Sequence, residues 1–223
     1  MTRDPSPRLV DLSHVVADGL VTYPGLPAPV VGEHLSREAS RGRYAEGTTF
    51  HIGKIEMVAN TGTYLDAPFH RFAAAPDLAD LELAQLANLP GVVVDAPRGQ
   101  RGIDLESVPT GGLRGCAVLF RTGWSRHFGT PAYAEGHPFL TAAVAETLVA
   151  RGAALVGIDS LNIDDTADGA RPVHTALLRA GIPIVEHLTA LASLPAEGFR
   201  FFAVPVKVRG MGTFPVRAFA LVP

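Results

Sequence analysis

VANTGTYLDAPFHRF, residues 58–72, spaces Asn60, Tyr64, Asp66 and His70 around Gly62 and Pro68. The run leading into it, residues 55–59, reads as the end of a strand. Asp66 and His70 form a metal-ligand or acid/base pair by chemistry, and Pro68 stiffens the turn between them. An Asx-rich turn with a solvated histidine has the same appearance, because short motifs also arise by chance.

The rest of the chain bounds the choice. Its 223 residues are 47% hydrophobic and 18% charged, as in ordinary globular proteins, so a single domain over 1–223 is expected. A net charge of −3 gives no electrostatic footprint for nucleic acid or an anionic membrane. The lone Cys116 excludes a disulfide framework and reads as a buried core thiol. Residues 1–8 are expected to form a flexible tail. They carry no apolar signal core, and no apolar run approaches a membrane span, so a cytoplasmic location is expected.

Working outward, residues 9–14 alternate as a short strand, and the proline- and glycine-rich segment that follows must be a loop holding Tyr23. Residues 33–49 read as a solvated loop, or as a lid whose Arg37, Arg41 and Arg43 bind a substrate carboxylate. A long strand is expected over 48–59, a helix over 77–89, and strands over 91–95 and 116–122 with a short helix near 104–108. Thr122-Gly123-Trp124 opens a further loop. A helix over 141–151 and a buried strand over 153–158 introduce helix–strand alternation. Asp159–Asp168 holds more aspartate than a turn needs. His174 opens a helix over 174–180, a strand over 182–185 delivers Glu186, and two strands over 199–206 and 215–222 flank a glycine loop.

The central stretch resembles the signature of the cyclase family of metal-dependent hydrolases, His-x-Gly-Thr-His-x-Asp-x-Pro-x-His. That family includes bacterial kynurenine formamidase, isatin hydrolase and trans-dienelactone hydrolase. Gly62, Thr63, Asp66, Pro68 and His70 match it, whereas Asn60 and Tyr64 replace its first two histidines. His174 and Glu186, twelve positions apart across a helix, a glycine and a strand, are similar to the family's downstream ligand pair. The resemblance implies a swivelling β/β/α fold of mixed α/β class, a mixed sheet or open barrel flanked by helices. It implies a small-molecule substrate and a homo-oligomer, dimer or tetramer, with the site near a subunit interface. It further implies His70 as acid/base, Asp66, His174 and Glu186 as metal ligands, and Tyr23 and Trp124 beside the substrate. Asp159, in the Gly-Ile-Asp-Ser turn, would support the ligands from behind.

Losing both histidines alters the expected chemistry. By resemblance, one of the family's two metal positions keeps only carboxylates, and the other retains Asp66, His174 and Glu186. Asn60 offers a weak amide oxygen, and a phenol such as Tyr64 seldom ligates a divalent ion, so Tyr64 is read as a substrate contact. One divalent ion is expected, manganese or magnesium ahead of zinc. If Asp66 and Glu186 meet, one must protonate or a cation must neutralise them: a metal, or arginines such as Arg43 or Arg71, both also candidate substrate contacts. Two functions stay open: a hydrolase (or lyase) acting on a small amide, lactone or cyclic carbonyl compound, and a non-catalytic relative that binds a metabolite.

Overall fold

The computed structural model describes residues 7–97 and 99–223. Its strands, in chain order, are β1 (Arg8–Asp11), β2 (Val30–Leu35), β3 (Ile52–Glu56), β4 (Tyr64–Asp66), β5 (Leu89–Asp95), β6 (Gly102–Ile103) and β7 (Ala117–Arg121). They continue as β8 (Phe139–Leu140), β9 (Leu155–Ile158), β10 (Ile184–Glu186), β11 (Glu197–Phe202), β12 (Thr213–Pro215) and β13 (Phe219–Val222). The α-helices are α1 (Arg37–Ser40), α2 (Ala142–Ala150) and α3 (Pro172–Arg179).

Nine strands form one mixed sheet in the order β1-β13-β11-β5-β7-β9-β10-β4-β12. β5, β7, β9 and β10 run parallel, and antiparallel strands flank them on either side. The parallel strands read as near-continuous apolar runs because both their faces are covered. Val118, Phe120, Val156 and Ile158 pack with Val144, Leu148, Val173 and Leu177 of α2 and α3. Their neighbours Ala117, Leu119 and Leu155 turn to the opposite face, against Leu12, Leu65, Phe199 and Phe201. Alternation along each strand thus divides the core into a helix-covered layer and the inside of a curl.

The curl follows from connectivity. β12 sits at one edge of the sheet and β13 is second from the other, yet only residues 216–218 separate them in the chain. The amide of Val216 donates to the Thr63 carbonyl (2.9 Å), and that of Leu12 to the Ala218 carbonyl (2.9 Å), so both edges are drawn together. The result is a half-barrel in a mixed α/β fold, as the resemblance implies. β2 and β3 form a separate two-stranded ribbon, exposed along almost its whole length.

Several local expectations change. Residues 77–89 are not an α-helix but turns and one 3₁₀ turn, Leu83–Gln85. Neighbouring segments take their backbone groups: the Leu78 amide donates to the Met211 carbonyl and the Leu86 carbonyl accepts from Ala203. The Asp77 carboxylate caps Ala79, Asp80 and Gly210. The long strand over 48–59 shrinks to β3, and part of the polar 33–49 segment is β2 and α1 instead of loop. The strand over 199–206 starts at Glu197 and ends at Phe202, and the one over 215–222 splits into β12 and β13. Of the tail expected over 1–8, residues 1–6 lie outside those described, and Arg8 pairs with Val222. Among the described residues, no helix is long and apolar enough to cross a membrane.

Candidate active site

β4, β10 and β12 carry the site at one end of the sheet. Asp66 faces Ile184 on one side and Thr213 on the other, and Tyr64 faces Glu186. Residues directly opposite on antiparallel strands point to the same face, so these side chains converge. Gly62 shapes the approach: its φ is +67°, and an added Cβ would lie 2.7 Å from a methyl of Val16. Past Asp66, Pro68–His70 forms a 3₁₀ turn that directs His70 back, its Nδ1 3.8 Å from Asp66 Oδ1.

His174, in the first turn of α3, completes the cluster. Its Nε2 lies 3.7 Å from Asp66 Oδ2 and 3.6 Å from Glu186 Oε1, and its Nδ1 is 2.6 Å from Asp164 Oδ2. Asp164 also accepts the first free amides of α3, from Val173 (2.7 Å) and His174 (3.0 Å), an anion placed where a helix start favours one. One aspartate therefore caps the helix and orients the ring. Asp66, Glu186 and Asp164 are buried, so their charge must be balanced nearby. Burial opposes an imidazolium at His174, but Asp164, Asp66 and Glu186 outweigh it and push the group up to about 10. Burial and Asp66 push Glu186 up to about 7. Asp66 is held below the usual carboxylate range: burial works against ionisation, and His174, His70 and Thr213 together overcome it. Among the described side chains, His174 forms ion pairs with both Asp66 and Glu186, and Arg43 and Arg71 form none with either. Arg43 is exposed and does not line the cavity at His70, and Arg71 reaches Thr175 (3.3 Å).

The donor set suits a cation. Asp66 Oδ2 is buried with no hydrogen-bond partner, and single ligand atoms of Asp66, His70 and His174 lie within 4.8 Å of one another. Ligands at about 2.0–2.2 Å from one divalent ion are roughly 3–3.5 Å apart, close to the separations around His174 Nε2. A carboxylate behind a ligating imidazole, as Asp164 stands behind His174, is the usual support of such a site. Asp66 Oδ2 and Glu186 Oε1 each stand within 3.7 Å of His174 Nε2, on the side where a divalent ion would be held. The grouping within 4.8 Å contains His70, expected from sequence as acid/base, and not Glu186.

The neighbouring position is closed. The Tyr64 hydroxyl donates to Glu186 Oε2 (2.6 Å) and contacts His187 Nε2 (3.2 Å), while His187 Nδ1 meets the Tyr133 hydroxyl (2.9 Å). Glu186 Oε1 accepts the Ile163 amide (2.6 Å). Burial lowers His187 to about 3 and raises both phenols well above their ordinary value, so the group is neutral. His187 holds a left-handed φ of +56°, a conformation costing a non-glycine residue about 1–3 kcal/mol.

Other sequence candidates lie elsewhere. Asp159 is buried, but its oxygens accept from Thr122 (2.6 and 2.7 Å) and Gly123 (2.9 Å), so it anchors that turn; Asp164 holds the histidine instead. The Trp124 indole donates to the Tyr133 carbonyl (2.9 Å), and its ring lines a separate cleft of about 690 Å³ beyond the ends of β5 and β7. Tyr23 is half-buried in its loop and does not line the cavity at His70. That cavity, about 130 Å³, is lined by His70, Arg71, Asn162, Arg171 and His174. Asp164, His187 and Thr213 went unread in the sequence. Only the excess of aspartate over 159–168 hinted at the first.

Residues 10–165 match the sequence profile of the Cyclase family. The chain is 28% identical over 210 residues to a kynurenine formamidase of Bacillus cytotoxicus, covering 94% of this chain and 95% of that protein. It is 30% identical over 181 residues to a kynurenine formamidase of Geobacillus thermodenitrificans, covering 80% and 84%. Isatin hydrolase A from Ralstonia solanacearum shares the fold with a TM-score of 0.82 at 22% identity, over 97% of this chain and 92% of that one. The chain belongs to the Cyclase family of metal-dependent hydrolases.

Proposed function

We propose that this protein is a one-metal hydrolase of a small amide, lactone or cyclic carbonyl substrate. The observation that carries this reading is Asp66 Oδ2, a buried carboxylate oxygen with no partner, beside His174 Nε2 at 3.7 Å. Asp66, His174 and Glu186 hold the ion, manganese or magnesium before zinc given an oxygen-rich set. When bound, the ion supplies Lewis acidity at a site that can activate water near neutral pH. His70, half-exposed at the cavity, takes the proton of the attacking water and returns it to the departing nitrogen or oxygen as the acyl bond breaks. Arg71 and Arg171 at the mouth suit a substrate bearing a carboxylate. The relatives named kynurenine formamidase and isatin hydrolase support aryl formamides and cyclic amides as the first compounds to try. The exposed Val30, Val31, Ile52 and Ile55 of the β2–β3 ribbon support a homo-oligomer.

A second reading has its own support. The grouping of His70 with Asp66 and His174 suits His70 as a third ligand. Formanilide, isatin and a small lactone, each assayed with added manganese, test the proposal. Turnover of at least one, abolished by a chelator and restored by manganese, is expected. No turnover of any of them by manganese-loaded protein would favour a metabolite-binding relative.

A further inference from the structure

We propose that Thr213 fixes the tautomer of His70, holding the ring proton on Nδ1 and leaving Nε2 as the proton-accepting atom. This rests on the reading of His70 as acid/base and adds a positioning residue to it. Thr213 is buried on β12, directly opposite Asp66. Its Oγ1 is 2.5 Å from Asp66 Oδ1 and 2.9 Å from His70 Nδ1. A hydroxyl has one proton to give, and an ionised carboxylate can only accept. The Thr213 proton therefore goes to Asp66, and the bond to His70 must use the lone pair on Oγ1. Nδ1 is then the donor, and the second ring nitrogen stays bare.

The backbone is built for this contact. At Gly212 an added Cβ would lie 2.4 Å from the His70 amide nitrogen, so only glycine lets β12 run this close to the histidine. The Gly212 carbonyl accepts the Ala67 amide (2.7 Å), locking β12 to the turn that carries His70. Asp66 thereby divides its two oxygens. Oδ1 ends the Asp66–Thr213–His70 chain, and Oδ2 stays free on the side of His174. The same bond places the His70 ring, because Nδ1 cannot leave Thr213 without stranding a buried hydroxyl lone pair.

The test is the nitrogen NMR signature of His70 in the ¹⁵N-histidine-labelled full chain with magnesium at alkaline pH, assigned by its loss in His70→Gln. The wild type and Thr213→Ser are expected to carry the proton on Nδ1. Thr213→Val, which replaces the hydroxyl with a methyl, is expected to move it to Nε2 in a large share of molecules. If any of the three trial substrates is turned over, Thr213→Val should slow that turnover by roughly 10- to 10²-fold, short of removing the base altogether, with Thr213→Ser near wild type. Should Thr213→Val fail to fold, the wild-type and Thr213→Ser spectra decide alone. A wild-type proton on Nε2, or an unchanged Nδ1 proton in folded Thr213→Val, overturns the assignment. An Nδ1 proton in a wild type that turns over nothing would count against the hydrolase and still support Thr213's role.

Discussion

On one side of the Asp66–Glu186 pair stand His70, His174 and a carboxylate oxygen without a partner. On the other stand Tyr64, His187 and Tyr133, whose hydroxyls and ring nitrogens are all hydrogen-bonded. Both sides are built of buried polar groups from the same strands, but they answer the cost of burial differently. The sealed side spends its donors internally and is neutral. The open side keeps one acceptor unsatisfied and relies on positive charge, an imidazolium or a bound cation. Tyr64 therefore does more than fill a strand position. Its hydroxyl donates to Glu186 Oε2 and occupies that oxygen.

The largest expected effect falls on the open side. His70→Ala should lower turnover by roughly 10²–10⁴ while the ion content of the purified protein stays the same. If the ion is lost as well, His70 is a ligand, as its grouping with Asp66 and His174 allows. Next comes the attempt to open the sealed side. Asn60→His with Tyr64→His should raise the zinc capacity measured by elemental analysis, since by the family resemblance both imidazoles would be ligands. Unchanged zinc uptake would mean that the loop over 58–66 no longer has the family's geometry.

Smaller effects report on the seal itself. Tyr64→Phe leaves Glu186 Oε2 without its 2.6 Å donor, and chemical denaturation should show a loss of about 1–3 kcal/mol with no gain of metal. An unaltered unfolding midpoint would show that the hydrogen bond is dispensable. The smallest effect concerns acid. His14 stacks on Phe128 at 3.7 Å on the sealed side, and burial lowers its pKa from 6.5 to about 4. Its folded value lies below the unfolded one, so its contribution is fully present above pH 6.5 and is lost as the pH falls toward 4. The thermal midpoint should decline across that window, and less so in His14→Phe, which keeps a ring in the stack. Equal slopes for the two proteins would remove His14 from the account.

Much of the open side was legible in the sequence because its parts are local or regularly framed. Gly62, Asp66, Pro68 and His70 sit within nine consecutive residues, and His174 and Glu186 bracket a helix, a glycine and a strand. Thr213 was not legible: it lies 147 positions from Asp66, and only the pairing of β12 with β4 joins them. Asp164 hid among other aspartates, because which of them meets the start of α3 depends on how the loop is laid. The seal was invisible for a related reason, since Tyr64 reaches Glu186 only once β4 lies against β10. In the fold, the apolar strands read correctly from composition. The leucine spacing over 77–89 misled because residues 203–211 claim backbone groups a helix would need.

The difference between the two sides shows in one number, the ions held per chain. Metal-stripped protein titrated with manganese and followed by calorimetry, with elemental analysis of the loaded sample, measures it directly. One manganese per chain is predicted, lost in Asp66→Asn and retained in Tyr64→Phe. Two ions per chain in the wild type, or none, would contradict a site with one side open and the other sealed.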